Sequence, residues 1–139
     1  MSIVPTNVPM TYGRCRETIQ KIVDAYPVCR SRCIGTTAFG REIQALAIGS
    51  GERTVLFTAA HHANEWITAT VLLKFAEELS RAILEKGSVY GIPANLFEEN
   101  CQIFLVPMVN PDGVDLVTGG IPLGSVQWEK AKNLAGNYP

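Results

Sequence analysis

The segment RTVLFTAAHHANEWITATVLLKFAEEL, residues 53–79, decides how this chain is expected to fold. It opens with an apolar run, residues 53–60, of the kind that forms a strand covered on both faces. Residues 66–86 then repeat apolar side chains at helical spacing, which predicts an amphipathic helix. Because a buried strand that leads into such a helix is typical of layered folds, the segment indicates the α/β class.

The predicted helix separates into an apolar stripe and a charged face. We expect the stripe to pack against the sheet and the charged face to meet water. The stripe consists of Ile67, Val71, Phe75, Leu79, Ala82 and Ile83, and the charged face of Lys74, Glu77, Glu78, Arg81 and Glu85.

The flanking sequence predicts further elements of the same kind. Helices are expected over 12–26, with Thr11 as N-cap, and over 127–134; strands over 28–34, 42–49 and 101–109; and loops over 87–100 and at Asn110-Pro111-Asp112-Gly113. The first two strands are joined by a glycine-containing turn and should pair antiparallel. We therefore expect one domain over residues 1–139: a three-layer α/β fold whose mixed, mostly parallel sheet has helices on both faces.

Composition excludes several classes of protein. Of the 139 residues 47% are hydrophobic and 18% charged, which excludes a disordered tail, a collagen-like fibre and a coiled coil. Twelve basic residues against thirteen acidic ones give a net charge of −1, so neither nucleic acid nor an anionic membrane is expected as a partner. The apolar runs are also too short to span a bilayer.

The first thirteen residues and the cysteines bear on location. MSIVPTNVPMTYG has neither the charged region nor the apolar region of a signal peptide, so a cytoplasmic location is expected, with leaderless export as the alternative. Free thiols are then expected at Cys15, Cys29, Cys33 and Cys101.

His62 and Glu65 are the candidate metal ligands. They lie three residues apart where the predicted strand gives way to the helix, and their side chains can converge on one point. Imidazole nitrogen and carboxylate oxygen are common zinc ligands, and the end of a strand is where α/β folds bind ligands. The alternative is structural, because a histidine before a helix often caps it and a glutamate in the first turn is favoured by the helix dipole.

A third ligand is not evident. His61 is adjacent to His62 on an extended segment, and neighbouring side chains there point to opposite faces. Asp112, Asp115 or Cys101 could approach His62 in the folded chain, but nothing in their spacing predicts it.

The stretch FTAAHHANEWITATVLLKFAEEL, residues 57–79, resembles the zinc carboxypeptidase family, whose motif reads His-x-x-Glu-Trp-Ile. Asn-Pro-Asp-Gly at 110–113 is similar to that family's second landmark, and Gly40-Arg41 to the turn of its opening hairpin. The likeness runs from about Tyr12 to the end of the sequence. The sequence HANEWIT, residues 62–68, is most similar to the branch that includes bacterial γ-D-glutamyl-diamino-acid endopeptidases, which cut cell-wall peptides.

The resemblance implies a Zn²⁺ cofactor, a peptide substrate and His62 and Glu65 as two of the three zinc ligands. In the family the third histidine ligand, the substrate-binding Arg and Asn-Arg pair, and the Glu general base all follow Asn-Pro-Asp-Gly, and no such set follows Gly113 here. The chain is therefore expected to be the N-terminal portion of one catalytic domain and to be inactive alone. An ordinary metallocarboxypeptidase or amide deacylase is one alternative. A non-catalytic module that binds a peptide or partner is the other.

A sheet that lacks its later strands should expose an edge. Because exposed edges pair with other chains, self-association through that edge is expected.

Overall fold

A computed structural model of the chain describes residues 2–136. The helices are α1 Tyr12–Ala25, α2 Trp66–Leu84, α3 Ala94–Asn100, α4 Pro111–Thr118 and α5 Val126–Gly136, with a 3₁₀ turn at Ala63–Glu65. The strands are β1 Cys29–Thr36, β2 Glu42–Ile48, β3 Arg53–Thr58, β4 Ser88–Val89, β5 Ile92–Pro93 and β6 Cys101–Val106. The predicted α/β class is confirmed.

The main sheet is mixed and has the strand order β1-β2-β6-β3. β1 pairs antiparallel with β2, as predicted, and β2 pairs antiparallel with β6. β6 and β3 are parallel. Parallel pairing therefore makes up a smaller share of the described sheet than predicted, because β2 is antiparallel to both of its neighbours, β1 and β6.

β3 lies at an edge of the described sheet, and none of its six residues is buried, so the prediction of a strand covered on both faces is wrong. Its partner is β6 on one side, and the side chains of Leu56 and Phe57 are 61% and 43% exposed. An apolar run indicates that a strand tends to be buried, but it does not determine which other segments of the protein bury it. In the described part of the chain, the outer edge of β3 has no strand partner.

The hydrophobic core lies on one face of the main sheet. Paired positions such as Leu46 with Leu105 and Ile48 with Ile103 face the same way and are buried with side chains of α1 and α2. On the opposite face, the register places Leu56 of β3 beside Phe104 of β6. Among the described helices, α1 and α2 supply most of the helical side chains of the core cluster. The residues that the main sheet contributes to this cluster come from that single face.

The buried face of α2 differs from the predicted stripe. Ile67 and Val71 are 48% and 64% exposed, whereas Leu73 is fully buried. Glu77, predicted to face water, is 1% exposed because residues 2–4 cover it and donate hydrogen bonds to its carboxylate. The apolar period of the sequence therefore identified the helix but misplaced its inner face by part of a turn.

Two segments predicted as loops contain helices. Residues 87–100 include α3, and Asn110-Pro111-Asp112-Gly113 forms the N-cap and first turn of α4. The helices predicted over 12–26, 66–86 and 127–134 are confirmed as α1, α2 and α5. Thr11 caps α1 by accepting a hydrogen bond from the Arg14 amide. All four cysteines are free thiols. Of the helices in residues 2–136, none combines the length and apolarity needed to cross a bilayer.

Candidate metal centre

The candidate site begins where β3 and β6 end. The ladder between these two parallel strands continues past their last residues: the Ala59 amide donates to the Val106 carbonyl at 3.0 Å, and the Val109 amide to the Ala59 carbonyl at 3.0 Å. The segment that follows Ala59 is therefore held at the carboxyl ends of both strands. That edge is where parallel α/β sheets bind their ligands.

His62 and Glu65 meet at this edge. His62 Nδ1 lies 3.0 Å from Glu65 Oε2, and the two side chains are 76% and 49% exposed. The 3₁₀ turn Ala63–Glu65 brings them to the same side. Neither side chain makes a helix-capping hydrogen bond, although His62 and Glu65 occupy the N-cap positions of the 3₁₀ turn and of α2. The pair therefore has no capping role, and both groups are open to a ligand.

The spacing of the two donor atoms suits a zinc ion. Bonds of about 2.0–2.1 Å at a tetrahedral angle place two ligand atoms about 3.3 Å apart. The observed 3.0 Å is close to that value, so a metal would replace the direct contact with little movement of either side chain. No group of three His, Cys, Asp or Glu side chains arranged to hold a metal occurs in residues 2–136. Within residues 2–136 the pair therefore fits as two of the three protein donors that a catalytic zinc site uses.

The other candidate ligands are engaged elsewhere. His61 Nε2 lies 2.9 Å from Thr58 Oγ1. The partner of His61 is therefore Thr58, whereas that of His62 is Glu65. Asp112 and Asp115 pair with Arg41. Cys101 begins β6, at the opposite end of the strand from the site.

The ion cluster of Arg41, Asp112 and Asp115 is a structural support that the sequence did not reveal. Arg41 Nη1 lies 3.1 Å from Asp112 Oδ1, and Arg41 Nε lies 3.1 Å from Asp115 Oδ2. The Thr37 hydroxyl donates to Asp112 at 2.8 Å. The cluster thus fastens the β1–β2 turn to α4. Both landmarks were visible in the sequence, at Gly40-Arg41 and at Asn-Pro-Asp-Gly, but their pairing across some seventy residues was not.

Asn110 and Thr68 are two further polar residues at the site that sequence reasoning did not assign to it. The Asn110 side chain accepts from the Gly113 amide at 2.9 Å, the local bond expected of such a residue in a turn, and it also donates to the His61 carbonyl at 3.1 Å. The Thr68 hydroxyl contacts the backbone at Ala60, before the two histidines, and at Glu65. The sequence feature that could have identified both is a short polar side chain near the end of a strand or the start of a helix at the site.

Known proteins are similar to this chain in sequence and in fold. The sequence profile of the zinc carboxypeptidase family matches residues 15–137. The chain is 32% identical over 127 residues to γ-D-glutamyl-L-diamino acid endopeptidase 1 of Lysinibacillus sphaericus, covering 91% of this chain and 32% of that protein. It is 38% identical over 125 residues to the uncharacterized protein YqgT of Bacillus subtilis (strain 168), covering 87% of this chain and 33% of that protein.

A solved structure carries the same architecture. Carboxypeptidase A from Helicoverpa armigera superimposes with a TM-score of 0.64 at 19% identity, covering 92% of this chain and 29% of that one. This similarity supports the fold. The chain spans about a third of the length of the curated relatives it matches.

Proposed function

Because this chain belongs to the zinc carboxypeptidase family, we propose that His62 and Glu65 are two of the three protein ligands of the catalytic zinc in a peptidase. The observation that carries this proposal is the 3.0 Å approach of His62 Nδ1 and Glu65 Oε2 at the carboxyl ends of two parallel strands. Held by His62 and Glu65, a zinc ion would polarise a peptide carbonyl as a Lewis acid and would lower the pKa of a bound water. The exposure of both side chains leaves the site accessible to a peptide.

The described residues supply part of the machinery. A catalytic zinc site keeps three protein ligands and one open position, and in residues 2–136 the pair has no third partner. The nearby candidates for a general base in residues 2–136 are also engaged elsewhere, His61 with Thr58 and both Asp112 and Asp115 with Arg41. We therefore expect zinc binding without appreciable turnover from this chain alone.

The proposed substrate class is a γ-D-glutamyl-L-diamino-acid peptide of the bacterial cell wall. Support comes from the endopeptidase of Lysinibacillus sphaericus, because the aligned region covers 91% of this chain. An ordinary metallocarboxypeptidase or amide deacylase with the same two ligands is the alternative. The choice between them depends on groups that contact the substrate, and the two ligands are common to both.

Zinc titration and peptide hydrolysis test this proposal together. The chain is titrated with Zn²⁺ and then incubated with a γ-D-glutamyl-L-diamino-acid peptide or with an ordinary peptide that has a free C-terminal residue. We expect zinc to bind and neither peptide to be cut. Cleavage of the first peptide that His62→Ala abolishes would support the substrate class and refute the expectation of inactivity. Cleavage of the second would support a carboxypeptidase, and failure to bind zinc would refute the metal site.

A specific observation favours one function of another class, namely a non-catalytic module that binds a peptide as an added strand. β3 has an open edge in the described sheet and exposes Leu56 and Phe57. Such edges accept extended peptides through main-chain hydrogen bonds. This function needs no metal, so peptide binding that is indifferent to Zn²⁺ and to His62→Ala would favour it.

A further inference from the structure

We infer that Thr68 and Asn110 are positioning residues for the metal ligands: their side chains hold the backbone of residues 60–65 in the shape that brings His62 and Glu65 together. The inference rests on the proposed function, because it concerns the same pair. It is carried by three groups of contacts around the segment, at Ala60, at Asn110 and at Thr68.

Ala60 has an unusual backbone conformation immediately before the two histidines. Its φ is +49°, in the left-handed region that residues with a Cβ rarely adopt, and its side chain is buried. A conformation of this kind persists where surrounding contacts over-determine it. Its effect is to turn the chain sharply at the end of β3 and send His61 and His62 across the carboxyl end of the sheet.

Asn110 holds the far side of this turn with two hydrogen bonds, and a third fixes its own side chain. Its backbone amide donates to the Ala60 carbonyl at 3.0 Å, and its side-chain Nδ2 donates to the His61 carbonyl at 3.1 Å. Its Oδ1 accepts from the Gly113 amide at 2.9 Å, which fixes the side chain against the first turn of α4. A Cβ on Gly113 would lie 2.5 Å from Asn110 Nδ2, so the glycine is what makes room for this amide. One side chain thus joins α4 to the ligand segment.

Thr68 closes the segment from the near side. Its hydroxyl donates to the Glu65 carbonyl at 2.7 Å and accepts from the Ala60 amide at 2.8 Å. The two groups that it joins flank His62 and include the backbone of Glu65 itself. A single hydroxyl therefore sets the distance between the turn that carries the histidine and the residue that carries the carboxylate. Neither Thr68 nor Asn110 contacts the proposed metal, and both act through the backbone of its ligands.

Four variants separate this role from ordinary stabilisation. Thr68→Val removes the hydroxyl at nearly constant shape, and Thr68→Ser retains it. Asn110→Asp keeps an acceptor for the Gly113 amide but removes the donor to the His61 carbonyl. Thr118→Val is the matched control, because the Thr118 hydroxyl donates to the Val114 carbonyl within α4 and does not touch the ligand segment. Urea unfolding of each variant establishes that it is folded under the conditions of the assay.

The first readout is the dissociation constant for Zn²⁺, measured by competition with a chromophoric chelator. Residues that orient metal ligands typically change metal affinity by about 10- to 100-fold, so Thr68→Val and Asn110→Asp should each weaken binding by about tenfold or more. Thr68→Ser and Thr118→Val should bind as the unmodified chain does. Unchanged affinity in Thr68→Val and Asn110→Asp, or an equal loss in Thr118→Val, would overturn the inference.

The second readout needs no metal and separates this inference from the proposed function. NMR coupling constants between Hα and Hβ report whether the His62 side chain holds one rotamer in the metal-free chain. We expect one rotamer in the unmodified chain, in Thr68→Ser and in Thr118→Val, and averaged couplings in Thr68→Val and Asn110→Asp. Averaged couplings in the unmodified chain would overturn the inference even if zinc binds. A single rotamer that depends on Thr68 and Asn110, in a chain that binds no zinc, would uphold the positioning role and refute the metal site.

Discussion

Glu77 shows at the scale of one residue how a buried carboxylate is kept charged. Its Oε1 accepts from the Ile3 amide at 2.7 Å, and its Oε2 accepts from the Lys74 ammonium at 3.1 Å. Burial raises the pKa of Glu77, but hydrogen bonds from Ile3, Lys74, Val4 and Ser2 lower it by more, so the net pKa lies below its ordinary value of 4.5. The carboxylate therefore ties the first residues of the chain to α2.

Replacing Glu77 by Gln should destabilise the chain in a pH-dependent way. Because the folded state holds the Glu77 proton less tightly than the unfolded state, its contribution is complete above the ordinary pKa of 4.5 and is lost as the pH falls through the lower folded value. Near neutral pH we expect Glu77→Gln to lower the free energy of unfolding by about 2 kcal/mol, the value of hydrogen bonds to a charged group. Urea titrations near neutral pH and at about pH 3 should show the difference from the unmodified chain shrinking in acid.

Glu78→Gln is the matched control for this prediction. Glu78 is a neighbouring carboxylate of α2 that pairs with Lys74 at 3.6 Å while 37% exposed. Exposed pairs of this kind contribute about 0–1 kcal/mol, so the change should be small at either pH. An equal loss in both variants would contradict the role assigned to Glu77.

The cysteines should differ sharply in reactivity. Burial raises the pKa of Cys15 to about 12. Burial also raises the pKa of Cys29 to about 11, against the opposing effects of the Ser80 hydroxyl and Arg30. Because the thiolate is the reactive form, both thiols should resist a disulfide reagent in the folded chain, whereas the exposed Cys33 should react at once. Spectrophotometric thiol counting before and after unfolding checks this, with Cys33→Ser removing the fast phase. Fast reaction of Cys15 would contradict its burial.

At the scale of elements, the cluster of Arg41, Asp112 and Asp115 fastens the β1–β2 turn to α4, the helix that begins beside the candidate site. Asp115 is the most buried of the three, with its side chain 6% exposed, and it also accepts from the Tyr12 amide at 2.8 Å. The cluster thus brings α1, the hairpin and α4 to one point.

Asp115→Asn should destabilise the chain strongly. Removing the charge of Asp115 weakens its hydrogen bonds with Arg41 and the Tyr12 amide while Asp112 still pairs with Arg41, and hydrogen bonds to a charged group contribute about 1.5–3 kcal/mol. Urea unfolding measures the loss. Glu42→Gln is the control, because the Arg16–Glu42 pair is 3.8 Å long and exposed, and it should cost about 1 kcal/mol or less. A small loss in Asp115→Asn would show that the cluster contributes little to stability.

The edge strand β3 should make the isolated chain self-associate. Both β1 and β3 are edges of the described sheet, but β1 carries the exposed Arg30 and Arg32, and charged side chains discourage pairing between edges. β3 instead presents Leu56, so we propose that a second copy pairs with it strand to strand.

Light scattering at micromolar concentration tests this pairing. We expect a species larger than a monomer that Leu56→Lys converts to monomer. Ile34→Lys, at an exposed apolar position of β1, should leave the larger species in place. A monomer in the unmodified chain would refute the proposal.

For the whole molecule, local sequence patterns predicted where the helices and strands lie. They predicted less well which other segments each of these elements packs against. The spacing of apolar residues identified α1, α2, β1, β2 and β6, since periodicity depends on neighbours in the sequence. The exposure of β3 and the burial of Glu77 were missed because both depend on which distant segment packs there. The same distinction holds at the site. The spacing of His62 and Glu65 predicted their approach, whereas the positive φ of Ala60 and the contacts of Asn110 arise from a strand and a helix some fifty residues away.

The central claim is that His62 and Glu65 form a metal pair, and the most direct test is equilibrium titration of the chain with Zn²⁺, with free metal left in solution because residues 2–136 bring only two donors together. His62→Ala and His61→Ala are compared, because His61 lies next in sequence but contacts Thr58 instead of Glu65. We predict about one zinc per chain, retained in His61→Ala and lost in His62→Ala. Zinc that survives His62→Ala, or that is absent from the unmodified chain, would contradict the claim.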